Sequence, residues 1–194
     1  MLGPEEIMDI FSRTGVLWEG HFILSSGLHA GRYLQCARVL QYPEEASKLC
    51  AALAEYFNGQ GITAVVGPAT GAIIIAYEVA RILRARALFT EREGGKMTLR
   101  RGFFLEPKDK VLVVEDVITT GGSVREVIEV VKEWGADPVG VGAFVDRSGG
   151  KVDLGLPLKV LLSMEIENYR PEECPLCRQG LPAIKPGSRD RSSP

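Results

Sequence analysis

Two adjacent carboxylates, Glu115 and Asp116, stand just ahead of a run of five small or hydroxyl-bearing residues, Thr119, Thr120, Gly121, Gly122 and Ser123. Neighbouring acids can accept hydrogen bonds from the hydroxyls of a sugar. Consecutive glycines let the backbone turn tightly and bring its N–H groups close to an anion. Thr119, Thr120 and Ser123 add hydroxyl donors. A helical pattern beginning at Val124 would aim its positive end and unpaired N–H groups at the same spot. A ligand carrying both sugar hydroxyls and a phosphate would use every part. Turn chemistry and helix capping alone account for one hydroxyl residue and one glycine, not for the whole run. The stretch lacks the GxxxxGK[ST] pattern of a Walker A loop and the GxGxxG fingerprint of dinucleotide binders.

Further segments carry related groups. Gly67-Pro68-Ala69-Thr70-Gly71 is a second turn, in which the backbone around Ala69, Thr70 and Gly71 could cradle a second anion. An ordinary strand-to-helix turn explains that loop equally well when it is taken alone. The stretch 90–102 holds Arg92, Lys96, Arg100 and Arg101 together with two glycines. A charge run is usually a solvated face, yet this one is too irregular for a helix and too long for a turn. It reads as a basic lid that closes over a leaving anion, excludes water and neutralises developing charge. Arg147, after Asp146, can grip a planar carboxylate with two parallel hydrogen bonds, or else form a surface ion pair. Ser25, Ser26 and Gly27 offer backbone groups and hydroxyls to a flat polar ring.

These groups need elements to hold them. Val111, Leu112, Val113 and Val114 form an apolar run suited to a strand buried on both faces of a parallel sheet, with the acids at its carboxyl end. Apolar spacing predicts helices over 4–14 and 43–57, the second with Ala46, Leu49, Cys50, Leu53 and Phe57 on one face. Helices are also predicted over 72–83 and 123–134, the latter with Val127, Val130, Val131 and Trp134 turned inward. Strands are predicted over 62–66, 87–90, 102–105, 111–115, 138–145 and 158–162, and two strand-like pieces within 21–36 form a hairpin-like flap outside the main sheet. This alternation predicts an α/β fold with a twisted, mostly parallel central sheet, right-handed crossovers and flanking helices. Ligands in such sheets bind beyond the carboxyl ends of the strands, so the loops 67–71, 115–123 and 146–150 should lie side by side. The expected organisation is one domain over 1–194, with a flap at about 15–40, a core at about 43–165 and a C-terminal tail at 166–194.

The whole chain narrows the function classes. It has 194 residues, 45% hydrophobic and 25% charged, with a net charge of −2. That balance gives no electrostatic grip on nucleic acid or an anionic membrane, and no apolar run reaches the roughly 20 residues of a membrane span. Acids near the N-terminus argue against a secretion signal, so a reducing cytoplasm is expected. Cys174 and Cys177 make half of a structural zinc site, which needs four ligands, and no second CxxC exists. A zinc site within the chain is therefore not expected, which leaves one shared across a dimer as the alternative. Cys36 and Cys50 read as small buried hydrophobes. His21 and His29, the only histidines, read as structural members of the flap.

Taken in order, Phe22, Leu24, Ser26 and Gly27 (the pattern F-x-L-x-S-G), GPATG, the basic stretch, EDVITTGGS and a strand ending in Asp146-Arg147 resemble the orotate phosphoribosyltransferase family. These are type I phosphoribosyltransferases that use phosphoribosyl pyrophosphate (PRPP), and the resemblance covers residues from about 15 to 150. It implies the type I fold with a small N-terminal hood. It implies transfer of the ribose phosphate from PRPP to orotate, giving orotidine 5′-monophosphate and pyrophosphate in pyrimidine biosynthesis. It also implies Mg²⁺ held through PRPP and water rather than directly by protein, and a homodimer with the loop 90–102 shared across the interface. Carried over by position, Thr119, Thr120, Gly121, Gly122 and Ser123 hold the 5-phosphate, and Glu115 and Asp116 hold the ribose. Ala69, Thr70 and Gly71 hold pyrophosphate. Arg92 and Lys96 bind PRPP and, with Asp116, form the catalytic set. Ser25, Ser26, Gly27, Thr119 and Arg147 meet orotate. Ser25 departs from the family pattern, standing where many members have a lysine. The basic loop also lacks the usual histidine, with Met97-Thr98 near its place. The alternatives are a purine transferase for adenine or xanthine, and a PRPP-sensing transcriptional regulator, which would bring a basic nucleic-acid-binding element.

Overall fold

The computed structural model describes residues 2–24 and 26–186. Ser25 and the end of the polar tail, 187–194, lie outside the described residues. The central sheet has six strands in the order β5-β4-β3-β6-β7-β8, formed by β3 (Ala64–Pro68), β4 (Arg86–Glu93), β5 (Lys96–Leu99), β6 (Lys110–Ile118), β7 (Asp137–Asp146) and β8 (Leu158–Ser163). All neighbouring pairs run parallel except β4 and β5. The β-branched run at the start of β6 serves both faces at once. Leu112 and Val114 pack into the core with Leu49, Leu53 and Phe57 of α2 (Pro43–Phe57) and Ile75 and Val79 of α3 (Ile73–Leu83). Val111 and Val113 pack into the opposite core with Val124, Val127 and Val131 of α4 (Gly122–Glu133). This alternation of side chains is the period-2 consequence of a pleated strand. Burying each such aliphatic side chain contributes about 1.5–3 kcal/mol. Gly140 of β7 is a packing requirement, because a Cβ there would stand 2.6 Å from Cε1 of the fully buried Phe57.

A second, three-stranded sheet in the order β1-β2-β9 forms the flap: β1 (Leu17–Ile23), β2 (His29–Leu34) and β9 (Asn168–Tyr169). The segment expected as a tail is therefore partly built in. After β9 comes the single-turn helix α5 (Pro175–Arg178), and Ile184 then bonds back to β1 through its N–H to His21 O and its carbonyl to the Ile23 N–H, 2.8 Å each. The amphipathic α1 (Pro4–Arg13) buries Ile7, Ile10 and Phe11 as its spacing predicts.

Three local expectations are corrected. The stretch 90–102 is ordered as a β-hairpin: β4 extends to Glu93 and pairs antiparallel with β5 across Gly94 and Gly95. Both glycines have positive φ, 58° and 85°, which is the geometry a two-residue hairpin turn demands. No strand forms over 102–105, where the chain turns with Arg101 and Gly102 both at positive φ. Trp134 is 41% exposed rather than core-facing, since it caps the end of α4 instead of lying on its apolar stripe.

Candidate active site

β6 ends in the acids because it does not end where its apolar run does. It continues to Ile118, which pairs with Asp146 of β7, so Glu115 and Asp116 are strand residues held along β7, the β3 ladder having ended at Val113. Glu115 Oε1 accepts the Asp116 N–H at 3.1 Å, and Asp116 Oδ1 accepts the Val117 N–H at 2.7 Å. Burial raises the Glu115 pKa well above the usual carboxylate range, and the charge of Asp116 pushes it the same way. A carboxylate kept in such a setting costs stability unless a ligand uses it.

The chain then turns through Thr119 and Thr120 into α4. Gly121 begins the helix at φ 75°, and a Cβ on it would lie 2.8 Å from Val152 and 3.1 Å from Leu154, so both conformation and space call for glycine. Arg125 fastens this loop from below, donating from Nη1 to Thr120 O at 2.6 Å and from Nη2 to Asp153 O at 2.9 Å. Thr119, Thr120, Gly122 and Ser123 stay exposed at the N-terminus of α4, where free N–H groups favour an anion.

The second loop comes from β3. Ala69 N–H donates to Thr90 O at 2.8 Å, and the Ala69–Thr70 peptide bond is cis. Gly67 is forced, since a Cβ would sit 2.7 Å from that of Ala72. Gly71 lies directly against the acids: a Cβ there would be 2.7 Å from Asp116 Oδ2. A cavity of about 460 Å³ is lined by Pro68, Ala69, Gly71, Arg92, Met97, Glu115, Asp116, Val117 and Ser123. An adjoining one of about 230 Å³ lies over Thr119 to Ser123 and again includes Arg92 and Glu115. Two loops, the paired acids and one arginine of the hairpin thus share one concave surface.

The remaining expected residues divide. Arg147 follows β7, its backbone N–H donating to Ile118 O at 2.8 Å. Its side chain is half-buried, and its Nε is fully buried with no protein partner among the described residues. Burial lowers its pKa from the ordinary arginine value, and Tyr33 and Cys36 of the flap region act on it electrostatically. The weighed surface pairing with Asp146 does not form. Asp146 is buried and accepts the N–H groups of Ser148 at 2.7 Å and Gly150 at 2.9 Å, shaping the loop beyond Arg147. Ser26 and Gly27 form the exposed turn of the β1–β2 hairpin, with Gly27 at φ 82°, and line neither cavity. Lys96 is not brought to the cavity in this chain; it pairs with Glu133 of α4 at 3.1 Å and lies in a neighbouring groove. Arg92 also holds α4, through Glu126 at 2.9 Å, but borders both cavities.

One group was underestimated from sequence. His21, His29, Cys174 and Cys177, read there as structural histidines and half a zinc site, come together with one donor atom each, all within 4.8 Å of one another. They lie outside both cavities above. The available signal was that the only CxxC and the only two histidines of the chain are each closely spaced.

The chain is similar to known proteins over nearly its whole length. The family model for the phosphoribosyl transferase domain matches residues 37–175. A protein of Desulforamulus reducens named orotate phosphoribosyltransferase is 62% identical over 188 residues, covering 97% of this chain and 98% of that protein. One of the same name from Caldicellulosiruptor bescii is 58% identical, covering 98% and 100%. Among solved structures, orotate phosphoribosyltransferase from Aeropyrum pernix superposes with a TM-score of 0.71 at 27% identity, covering 81% of this chain and 93% of that one.

Proposed function

The chain belongs to the orotate phosphoribosyltransferases of the type I phosphoribosyltransferase fold, and on that premise we propose how its own residues carry the reaction. The reaction moves the 5-phosphoribosyl group from PRPP to orotate, giving orotidine 5′-monophosphate and pyrophosphate for pyrimidine biosynthesis. The observation that carries the assignment of roles is the pair of adjoining cavities: the buried Glu115, the half-buried Asp116, the loop at the start of α4 and the 69–71 loop all open onto them. Thr119 to Ser123 take the 5-phosphate on backbone N–H groups and hydroxyls. Glu115 and Asp116 accept from the ribose hydroxyls. Ala69, Thr70 and Gly71 receive pyrophosphate. Arg147, with an unpartnered buried Nε, pairs with the orotate carboxylate, and the flap turn at Ser26 and Gly27 covers the ring; Ser25 is assigned there by family position alone.

Breaking the C1–pyrophosphate bond leaves cationic character on the ribose and builds negative charge on the leaving group. The chain therefore needs positioning and charge stabilisation more than covalent chemistry. Arg92, which borders its own chain's cavities here, is the basic side chain assigned to the leaving group, and in the proposed dimer the hairpin carries it to the neighbouring subunit's site. Its exposed pair with Glu126 is worth about 0–1 kcal/mol, so releasing it costs little. Lys96 acts with it when the hairpin moves. The donor set suits Mg²⁺ held mostly by PRPP oxygens and water: the cavity offers two carboxylates and no imidazole or thiol. When bound, the ion offsets pyrophosphate charge. The proposed assembly is a homodimer in which the β4–β5 hairpin serves the neighbouring site; Ile74 and Tyr77, 48% and 64% exposed on α3, offer apolar surface for association. A reducing cytoplasm suits the four free cysteines.

The test mixes protein, PRPP, Mg²⁺ and orotate and follows loss of orotate absorbance. Loss that requires both PRPP and Mg²⁺ is expected. Turnover of adenine or xanthine in place of orotate would overturn the substrate assignment.

A further inference from the structure

We infer that His21, His29, Cys174 and Cys177 form a structural zinc site that clamps the flap to the C-terminal segment. The two histidines sit at the facing ends of β1 and β2, and the two cysteines lie at the start of and within α5. His21 Nε2 is 2.8 Å from His29 Nδ1, 3.5 Å from Cys174 Sγ and 3.7 Å from Cys177 Sγ, and Cys177 Sγ is 3.3 Å from His29 Nδ1. A tetrahedral zinc ion with Zn–N near 2.0–2.1 Å and Zn–S near 2.3 Å requires donor-to-donor edges of roughly 3.3–3.8 Å. Three of these four separations fall in that range, all six donor pairs lie within 4.8 Å, and a small ring rotation opens the shorter N–N edge.

Hydrogen bonding among the four side chains does not explain their convergence. His21 Nδ1 lies 2.8 Å from Leu181 O. A carbonyl only accepts, so a ring proton is assigned to His21 Nδ1, and in the neutral ring Nε2 is then a bare lone pair. Three other groups are aimed at that lone pair, and only one could donate to it. A cation at the centre satisfies all four at once. The Leu181 contact is also the outer-shell bond that characteristically orients a metal-bound imidazole. Two thiolates neutralise the charge of Zn²⁺, which suits a place where His21, His29 and Cys174 are all buried. Cys177 is exposed and opens the site to solvent. Mixed S₂N₂ ligation favours zinc over Mg²⁺, and four protein ligands leave no position for substrate, so the site is structural.

Its consequence is positional. His21 near the end of β1 and His29 at the start of β2 flank the hairpin turn that carries Ser26 and Gly27. The metal would fix that turn without touching substrate. This consequence rests on the proposed role of the turn over the orotate ring, whereas the presence of metal does not.

The test is metal analysis of untagged protein purified from zinc-supplemented cells, which should show about one zinc per chain. Cys177→Ser and His29→Ala should each lose it. Because such variants could unfold, the wild-type protein stripped of metal under reducing conditions is also titrated with Co²⁺. Tetrahedral S₂N₂ ligation should give visible d–d bands and a sulfur-to-cobalt charge-transfer band that zinc abolishes. Absence of zinc together with no cobalt spectrum, or a Cys174–Cys177 disulfide in protein purified under reducing conditions, overturns the site. For the consequence, stripped protein should show a several-fold higher KM for orotate with KM for PRPP unchanged, recovered on adding zinc. Bound zinc with no change in KM for orotate would leave the metal site standing and refute the positional role of the turn.

Discussion

Replacing Gly71 by alanine tests the geometry of the site at one point. The new Cβ would lie 2.7 Å from Asp116 Oδ2, 3.0 Å from Cγ and 3.3 Å from Oδ1. Ordinary van der Waals contact begins near 3.4 Å, so the carboxylate must retreat by about 0.7 Å at its nearest atom. It has little freedom, because Asp116 is a β6 residue and its Oδ1 is held by the Val117 N–H at 2.7 Å. The alanine itself is not strained, since Gly71 is not among the residues of positive φ, and the position is only partly buried. The strain falls on the Asp116 carboxylate alone, so the melting temperature should drop modestly while the fold is kept. A hydrogen bond from a ribose hydroxyl to a displaced carboxylate forfeits about 1.5–3 kcal/mol, which is roughly 10- to 150-fold in kcat/KM for PRPP. The assay is steady-state loss of orotate absorbance with PRPP varied, beside a thermal melt. A double-mutant cycle isolates the cause: in an Asp116→Ala background the Gly71→Ala change should add almost nothing. Unaltered kcat/KM in the single variant, or an equal loss in both backgrounds, would refute the argument that Gly71 is small for the sake of Asp116.

Two other perturbations follow from the same surface. Glu115→Gln should trade stability against activity. The carboxyl's folded-state pKa is raised by burial and by Asp116, so ionising it opposes folding. That cost is absent below the unfolded value of about 4.3 and grows as pH rises above it. The glutamine variant should melt higher than wild type at neutral pH, by about 2–4 °C per kcal/mol relieved, with the gain vanishing towards pH 4 while kcat/KM falls; equal melting at all pH values would refute the sign. For the hairpin, Arg92→Ala should lower kcat/KM by about tenfold or more, since each lost charge contact to pyrophosphate is worth about 1.5–3 kcal/mol. Mixing Arg92→Ala chains with Asp116→Ala chains should restore activity if the hairpin serves the neighbouring subunit, because hybrid dimers then hold one complete site. No restoration on mixing would place Arg92 in its own chain's site.

The end of the sheet that carries the acids and the glycine turn was legible because its information is local. A buried strand, its terminal acids, a glycine turn and a helix start fall within residues 110–133, and each part needs its residue types for reasons that act over a few bonds. The same holds for α2, whose apolar spacing gives its limits, Pro43–Phe57, to the residue. Where local patterns failed, a partner distant in sequence was the cause. The charges on β4 and β5 hide a strand alternation that only becomes meaningful beside α4, where Arg92 and Lys96 find Glu126 and Glu133. β6 outruns its apolar stretch because β7 continues beside it to Asp146. Most plainly, Cys174 looked like half of a ligand set because its nearest nitrogen partner, His21, lies 153 residues away in the chain. A ligand set split between the β1–β2 hairpin and the α5 region is closed by the β2–β9 pairing and by the return of Ile184 to β1. It follows that the flap is a product of both chain ends. A truncation removing 166–194, which the sequence presents as a C-terminal tail, takes away a strand of the flap sheet and the two cysteines that face its histidines.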